Sequence, residues 1–312
     1  MPIITTIHTR REEIQRLVSS QNLVQAVKRL MDYALDFSED LGHVEAVMEL
    51  EYPETPLDRA NLKTSVETLL EAITQNYEQR KHPVQSSVTI DAPTVFSCWE
   101  MGKRFKRSSF HLEDINLDLY LGEITSVVGE NGNGKTTLFR LVVGEISADE
   151  GHLEYPLLSL DENELDWFDI KKQIAYVPQD LPKWYGSLKS NIQYAAAIHG
   201  LKGTDNQREV DFIIRRLGLE NHLTKRWKEL SGGYKLRFAL AKALVTKPKL
   251  LVIDEPLANL DFKAQQIILS DLRNLSRSLK HPVAILLSSQ HLHEIESVTD
   301  NIRIRSKWAG NK

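Results

Sequence analysis

The sequence predicts an α/β fold with a largely parallel sheet, preceded by a small helical domain. Three observations support this prediction. Apolar residues between positions 10 and 80 recur at helical spacing. Beyond position 93, short β-prone runs such as ITSVVG, LLVID and VAILLSS alternate with helical patterns, as is typical of parallel sheets. The length of 312 residues leaves room for one large domain and a smaller one.

The helical part of the sequence contains three groups of regularly spaced apolar residues. These are Ile14, Leu17 and Val18; then Leu23, Val27, Leu30, Met31 and Ala34; and finally Leu62, Val66, Leu69, Leu70, Ile73 and Tyr77. Pro53 and Pro56 interrupt the pattern before the third group, and Asp58 is placed to cap the last helix. Residues 1–90 carry an acidic excess, which fits either a solvated helix surface or a charged docking face for another protein.

A change in composition separates the two parts of the chain. The stretch HPVQSSVTIDAPTVF mixes Pro, Ser and Thr with short β-prone runs. We therefore predict a linker at 81–92, a helical N-terminal domain that with this linker covers residues 1–92, and a second domain over residues 93–312.

The composition argues against several classes of protein. A formal net charge of -4, with both signs mixed along the chain, gives no broad basic surface, so we expect no nucleic-acid partner. The single cysteine, Cys98, cannot form an internal disulfide or a multi-cysteine metal site. The opening MPIITTIHTRREEIQ lacks the apolar core of a signal peptide, and no apolar run approaches the ~18 residues that a membrane span needs. We expect a chain without a membrane span.

The stretch VVGENGNGKTTLFRLV, residues 127–142, fits the pattern G-x-x-x-x-G-K-[ST] from Gly129 to Thr136. A β-prone run precedes it and a helix-compatible run follows. Glycines let successive N–H groups face inward, and the start of the helix adds unpaired N–H groups, which together form an anion site for phosphates. We expect Lys135 to reach the β- and γ-phosphates of a nucleotide and Thr136 to offer its hydroxyl to Mg²⁺.

A second run, KLLVIDEP at residues 249–256, is typical of a buried strand that ends in two carboxylates. Asp254 would hold the metal, directly or through water. Glu255 would polarise the attacking water as a general base. An acidic end to a strand is weak evidence alone, but together with the glycine loop it predicts a site of nucleotide hydrolysis.

A third run, LSGGYKLRFALAKAL at residues 230–244, places Ser231, Gly232 and Gly233 just before a predicted helix. This is a second helix start that could receive a phosphate. Because one γ-phosphate needs only one such cradle, the second makes sense if it serves a nucleotide held by another copy, in a symmetric pair.

Six motifs, in this order, resemble those of the ABC ATPases over roughly residues 93–310. GENGNGKTT resembles the Walker A loop, AYVPQD the Q-loop, LSGGY the family signature, LLVIDE the Walker B strand, ANLD the D-loop and SSQH the switch region. The resemblance implies a P-loop NTPase fold of ABC type with a helical subdomain, and ATP and Mg²⁺ as ligands.

The resemblance also implies roles that the residue patterns do not assign. Gln179 would link the metal and the γ-phosphate to the surface that faces a transport partner, His291 would contact the γ-phosphate, and the signature residues would act in trans. The predicted catalytic residues are Lys135, Gln179, Glu255 and His291; the predicted metal ligands are Thr136, Gln179 and Asp254; and the predicted nucleotide-binding residues are Phe105, Gly129, Asn131, Gly132, Asn133, Gly134, Lys135, Thr136, Thr137, Ser231, Gly232, Gly233 and Asp261.

Two positions depart from the family pattern. Tyr234 stands where the signature usually has Gln, so the contacts of the trans site differ in detail. Phe105 stands where the family usually has a Tyr that stacks on adenine, and it keeps the ring face that stacking needs. Phe110 is a competing candidate for this role.

The resemblance implies ATP hydrolysis by a head-to-tail dimer that drives a separately encoded membrane permease from the cytoplasmic face of the membrane. The dimer would be a homodimer or a pair with a similar ATPase, and the permease would dock on residues 179–226. The alternative is a soluble ABC-type ATPase switch that signals through its helical N-terminal domain to a protein partner, without transport.

Overall fold

The computed structural model describes residues 7–53, 55–79, 92–106, 110–159 and 167–304. The predicted linker at 81–92 lies outside the described residues except for its last position. The helices are α1 (Ile7–Ser19), α2 (Leu23–Phe37), α3 (Leu41–Met48), α4 (Pro56–Gln79), α5 (Lys135–Val142), α6 (Trp167–Lys172), α7 (Leu188–Ile198), α8 (Gly203–Arg216), α9 (Gly232–Leu244), α10 (Phe262–Ser276) and α11 (Leu292–Ile295). The strands are β1 (Thr94–Arg104), β2 (His111–Tyr120), β3 (Ile124–Val128), β4 (Glu150–Glu154), β5 (Ile174–Val177), β6 (Leu250–Ile253), β7 (Ala284–Ser289) and β8 (Asn301–Ile304). Among these residues, no helix is both long enough and apolar enough to cross a bilayer.

The chain forms two compact units. The first, here called the helical unit, contains the N-terminal helices α1 to α4 together with residues 211–221 and 278–280. The second, here called the sheet unit, contains the rest of the described chain. Two later segments thus belong to the helical unit, and the domain boundary between residues 92 and 93 stays a prediction.

The core of the helical unit forms around α2, whose buried side chains are mostly apolar but include the charged Lys28, Arg29, Asp32 and Asp36. Helices α1, α3 and α4 all contact it. Its buried apolar residues are Ile7, Ile14, Val18, Leu23, Ala26, Val27, Leu30, Met31, Tyr33, Ala34, Phe37, Val47, Leu62, Val66, Leu70 and Ile73. The prediction of helices between residues 10 and 80 is confirmed, since most of the apolar residues on which it was based are buried in this core.

The entry into α4 differs from the prediction. Pro56 is the first residue of the helix, a position where its missing N–H costs nothing. Thr55 takes the capping position: its backbone N–H and hydroxyl donate to Asp58 Oδ2 at 2.9 and 2.7 Å, and the Asp58 N–H donates to Thr55 Oγ1 at 3.2 Å. Asp58 therefore completes a reciprocal capping pair from inside the first turn, where we expected the cap itself.

A buried carboxylate in the helical unit is neutralised by arginines from α2 and from the end of α8. Asp32 Oδ1 lies 2.6 Å from Arg216 Nε, and its Oδ2 lies 2.8 Å from Arg29 Nη1. Burial by itself would raise the pKa of Asp32, but Arg216, Arg29 and Arg10 outweigh it and hold the pKa below its ordinary value. The carboxylate is therefore ionised, and the end of α8 is fixed to α2.

A second buried carboxylate holds the segment 278–280 in the same unit. Asp36 accepts hydrogen bonds from the Ser278 hydroxyl at 2.8 Å and from the backbone N–H groups of Leu279 and Lys280 at 3.0 and 3.3 Å. Its other oxygen lies 2.6 Å from Arg10 Nη1. Both distant segments of the helical unit are thus bound through carboxylates of α2.

The sheet unit contains a five-stranded parallel sheet in the order β5-β6-β7-β3-β8 and a three-stranded antiparallel sheet in the order β2-β1-β4. Strands β3, β6 and β7 are buried throughout, as their continuous apolar runs require. A shared core joins both sheets to α5. Because the strands are parallel, the carboxyl ends of β3, β6 and β7 meet at one edge, where the predicted loop and carboxylates follow.

Candidate functional site

The glycine loop joins β3 to α5 and leaves the start of that helix without a side-chain cap. Gly132 and Gly134 have φ angles of +82° and +83°, in the left-handed region that favours glycine. A Cβ on Gly134 would also lie 2.6 Å from both Phe110 Cζ and Leu112 Cδ2. The loop can therefore close only around glycine, and the unpaired N–H groups of the first turn form an anion site.

Lys135 lies inside this loop and is only 6% exposed. Its Nζ donates hydrogen bonds to the carbonyls of Gly129 and Glu130, at 2.7 and 3.1 Å. The same Nζ lies 3.3 Å from Glu255 Oε1. The ammonium group is thus held between the loop and the carboxylate, where a bound phosphate would compete for it.

Asp254, at the end of β6, brings oxygen ligands together. The Thr136 hydroxyl donates to its Oδ2 at 2.5 Å, and the Ser288 hydroxyl donates to its Oδ1 at 2.6 Å. Oxygen donors of this kind are the ligands that Mg²⁺ prefers, with waters and phosphates completing its octahedron. The described residues contain no cluster of three or more His, Cys, Asp or Glu side chains that could hold a metal alone. The paired oxygens of Thr136 and Asp254 are of the kind that fits Mg²⁺ bound together with nucleotide phosphates.

Glu255 follows in a left-handed conformation, with φ of +49°. Its backbone N–H donates to Ser288 Oγ at 2.7 Å, which holds this strained turn. Its carboxylate faces Lys135 through Oε1. Its Oε2 accepts hydrogen bonds from Gln179 Nε2 at 3.0 Å and from Gln290 Nε2 at 2.8 Å. The side chain is buried and directed into the same cavity as the lysine.

This cavity has a volume of about 400 Å³. Its lining consists of Phe110, Asn131, Gly132, Gly134, Lys135, Thr136, Thr137, Gln179 and Glu255. The cavity therefore brings together seven of the residues predicted to contact nucleotide or metal, along with the predicted base Glu255. Phe110 rather than Phe105 stands in the lining; the Phe105 ring lies beside it, at 6.2 Å between centroids.

Several predicted residues do not line the cavity of this single chain. The His291 side chain is exposed, and its ring stacks on His293 at 5.5 Å between centroids. Ser231 and the glycines after it begin α9. Asp261 caps α10, since its Oδ1 accepts the Ala264 N–H at 2.9 Å. The roles of these residues stay predictions, and those assigned to the signature require a second copy.

Tyr234, the departure in the signature, is held by its own neighbours. Its ring stacks on His222 at 3.7 Å between centroids, and the Arg237 guanidinium lies 5.5 Å from the ring centroid. Burial, followed by the charges of Lys225 and Arg237, lowers the pKa of His222, so its ring is neutral at pH 7. The tyrosine thus presents a packed aromatic surface where an amide is usual.

A larger groove of about 1110 Å³ opens beside the cavity and shares Gln179 and Glu255 with it, while Asp254 lines the groove alone. Trp184 and Trp227 stack within it at 4.8 Å between ring centroids, and Tyr185 is 83% exposed at its side. The remaining lining residues include Lys183, Arg226, Lys228, Gly232, Lys235 and Leu260. The groove combines an aromatic floor with basic side chains.

Two residues of the site were not singled out from the sequence. Ser288 and Gln290 both belong to the SSQH stretch, of which only His291 was assigned a role. The available signal was the position of this stretch at the end of a β-prone run. Neighbouring parallel strands end at the same edge, so β7 could be expected to bring side chains to the carboxylates of β6.

A phosphate-binding loop lies between β3 and α5, and carboxylates at the end of β6 face it from the far side of β7 in the same parallel sheet. This arrangement places the chain among the P-loop nucleotide-binding proteins. Residues 112–258 match the family described as ABC transporter. The chain belongs to this family of ATPases, as the order of its motifs predicts.

Known relatives agree with this assignment. The ABC transporter ATP-binding protein YtrE of Bacillus subtilis (strain 168) is 29% identical over 192 residues, which cover 60% of this chain and 83% of YtrE. The zinc import ATP-binding protein ZnuC of Vibrio vulnificus (strain YJ016) is 33% identical over 193 residues, or 61% of this chain and 66% of ZnuC. The structure of cbiO1 from Clostridium perfringens, part of the ABC transporter complex cbiONQ, matches with a TM-score of 0.60 at 26% identity and covers 68% of this chain and 84% of its own. The predicted family and fold class are confirmed.

Proposed function

We propose that this chain is the ATP-binding subunit of an ABC transporter, which hydrolyses ATP as a head-to-tail dimer and drives a separately encoded membrane permease. One observation carries the proposal. Glu255, Lys135 and Thr136 line a single cavity, and Asp254 accepts the Thr136 hydroxyl at its edge, so a base, a phosphate ligand and metal ligands stand within reach of one another. The family membership implies ATPase activity, and the names of the relatives support transport.

Phosphate binding would change the contacts of Lys135. In the structure its ammonium group is shared between loop carbonyls and Glu255. The β- and γ-phosphates of ATP would take this group, and Glu255 Oε1 would then be free to accept the proton of an attacking water. Mg²⁺ held by Thr136, Asp254 and Gln179 would neutralise phosphate charge.

The adenine base would stack on an aromatic ring at the mouth of the cavity. Phe110 lies in the cavity lining and against Gly134, whereas Phe105 is 37% exposed beside it. We assign the principal stacking contact to Phe110, with Phe105 at the outer edge of the base.

A second copy would complete the site. The start of α9 at Ser231 does not line the cavity, although it offers unpaired N–H groups suited to a phosphate. In a symmetric pair, each chain would present this helix start and its Asp261 to the nucleotide of the other.

The permease would dock on the groove of about 1110 Å³ that begins at Gln179. Its stacked tryptophans and exposed Tyr185 offer apolar area, and its lysines and Arg226 favour a partner segment with acidic residues. Because Gln179 also contacts Glu255, docking and hydrolysis would share one side chain.

A second candidate function is the soluble switch. It is favoured by the inclusion of residues 211–221, at the end of α8, in the helical unit. The last residues of α8 belong to this unit, and Arg216 is paired with Asp32 of α2. A displacement of α8 would therefore pass directly to the N-terminal helices, and through them to a protein partner.

The proposed activity is tested by the substitution Glu255→Gln, which keeps the size of the side chain and removes the base. We expect retained ATP binding and a loss of turnover of about a hundredfold or more. Glu154→Gln, at an exposed position of β4, is the control and should keep wild-type turnover. Unchanged hydrolysis in Glu255→Gln would contradict the assigned base.

The transport role is tested by affinity purification of the tagged chain from gently solubilised membranes. Recovery of a partner with several membrane spans supports the transporter subunit. Recovery of soluble partners alone supports the switch.

A further inference from the structure

We infer that Gln290 is a positioning residue for the Glu255 carboxylate during hydrolysis. The inference rests on the proposed function, because it concerns the base assigned there. Gln290 directly follows β7, on the strand next to the one that carries the base.

The carboxylate of Glu255 has contacts of two kinds in the structure. Oε1 faces the Lys135 ammonium group at 3.3 Å. Oε2 accepts the side-chain amides of Gln290 and Gln179, at 2.8 and 3.0 Å. Since hydrogen bonds to a charged oxygen are directional and stronger than neutral ones, the two amides fix the plane of the carboxylate. Oε1 is the oxygen left on the phosphate side.

Nucleotide binding would remove two of these three contacts. Lys135 would turn to the phosphates and Gln179 to the metal and the docked partner, as their proposed roles require. Gln290 has no such competing role, because its side chain does not line the nucleotide cavity. It would therefore be the contact that holds Oε2 when Oε1 accepts a proton.

The backbone and the side chain of Glu255 are each held by a residue at the end of β7. The residue has φ of +49°, and its N–H is bound by Ser288 Oγ at 2.7 Å. Ser288 thus holds the main chain of Glu255, and Gln290, two residues later, holds its side chain. The end of β7 fixes the base at two points, which would keep the carboxylate in the near-attack geometry that hydrolysis needs.

The test compares Gln290→Met with the wild-type chain in steady-state ATP hydrolysis. Met keeps the length of the side chain and removes the amide donor, and Gln290 is exposed, so the fold should tolerate it. We expect kcat to fall about tenfold or more while KM and ATP affinity change less than about twofold. Gln290→His, whose Nε2 can donate from a similar distance, should restore part of kcat. Gln173→Met is the matched control. The side-chain amide of Gln173 donates hydrogen bonds to the carbonyls of Leu158 and Asp169, outside the site, so kcat should not change.

The double variant Glu255→Gln with Gln290→Met separates the possible outcomes. If Gln290 acts through Glu255, its removal should lower the residual turnover of Glu255→Gln no further. Unchanged or increased kcat in Gln290→Met, or a further loss in the double variant, would overturn the inference while leaving the base intact. Wild-type turnover in Glu255→Gln alone would instead overturn the proposed function.

Discussion

Gly132 and Gly134, the two loop glycines with positive φ angles, have different surroundings. A Cβ on Gly132 would meet nothing within 4 Å, whereas a Cβ on Gly134 would lie 2.6 Å from the Phe110 ring. Both positions impose backbone strain on any other residue, but only Gly134 adds a collision with the proposed base-stacking ring.

Substitution of each glycine by Ala should separate strain from collision. We expect Gly132→Ala to cost about 1–2 kcal/mol of unfolding free energy, from backbone strain alone. Gly134→Ala should cost more and should also weaken ATP binding, because Phe110 must move. Urea unfolding and ATP titration of both variants measure this difference. Equal losses for the two would show that Phe110 does not press on the loop.

Single residues of the site divide into those that a motif identifies and those that only the fold brings in. Lys135, Thr136, Asp254 and Glu255 could be assigned from the sequence because phosphate and metal chemistry demands those residue types at that spacing. Gln290 could not, since an exposed amide has no characteristic spacing. The preference for Phe110 over Phe105 also depends on the fold, because only Phe110 lines the cavity although both residues lie between the described parts of β1 and β2.

The carboxyl ends of β6 and β7 are joined by one hydroxyl group. Ser288 donates to Asp254 Oδ1 at 2.6 Å and accepts the Glu255 N–H at 2.7 Å. The metal ligand and the base of the proposed site thus depend on the neighbouring strand for their orientation.

Ser288→Ala should lower both stability and turnover. It leaves the buried N–H of Glu255 without an acceptor, which costs about 1–3 kcal/mol. Ser126→Ala is a matched control. Ser126 is a buried serine of β3 whose hydroxyl lies 2.7 Å from the Thr299 hydroxyl, and it does not contact Asp254 or Glu255. We expect similar losses of stability in the two variants, measured by urea unfolding, but a reduced kcat only for Ser288→Ala. A normal kcat in Ser288→Ala would show that the end of β7 does not orient the site.

Long periodic elements were predictable, whereas short ones and their ends were not. Helices α1, α2 and α4 were recognised from apolar spacing. Helix α3 was not, because its eight residues offer barely two turns of pattern. The start of α4 was placed too late, since Pro56 was interpreted only as a break although proline is also common at the first helical position.

The helical unit is assembled from three separate parts of the chain. Sequence periodicity predicted its N-terminal part as a helical domain of its own, but it could not show that residues 211–221 and 278–280 belong to the same unit. Such contacts join positions far apart in the sequence, and no local pattern records them. The buried carboxylates Asp32 and Asp36 are the physical reason for this assembly, because each requires cationic or N–H partners.

Asp32→Asn should destabilise the helical unit strongly. It leaves Arg216 and Arg29 buried without their carboxylate, a change worth about 3 kcal/mol or more. Hydrogen exchange of the α2 backbone amides measures the effect. Glu12→Gln breaks only an exposed ion pair with Arg16 and should change the exchange by less than about 1 kcal/mol. Equal exchange in both variants would contradict the role of the buried pair.

The same pair predicts a dependence on pH. Because the pKa of Asp32 in the folded chain lies below the ordinary value of 3.8, its contribution is complete above that value and is lost as the pH falls through the lowered pKa. The stability difference between wild type and Asp32→Asn should therefore stay constant near neutral pH and shrink below pH 3.8. A difference that grows on acidification would show that Asp32 is not held ionised.

The mass of the Glu255→Gln variant in the presence of ATP and Mg²⁺ tests the central claim most directly. If ATP is bound between two copies and cannot be hydrolysed, sedimentation should show a species of twice the 35.7 kDa chain mass, with two nucleotides bound. A variant that binds ATP fully and still sediments at 35.7 kDa would show that one chain supplies every phosphate contact, and would contradict the account.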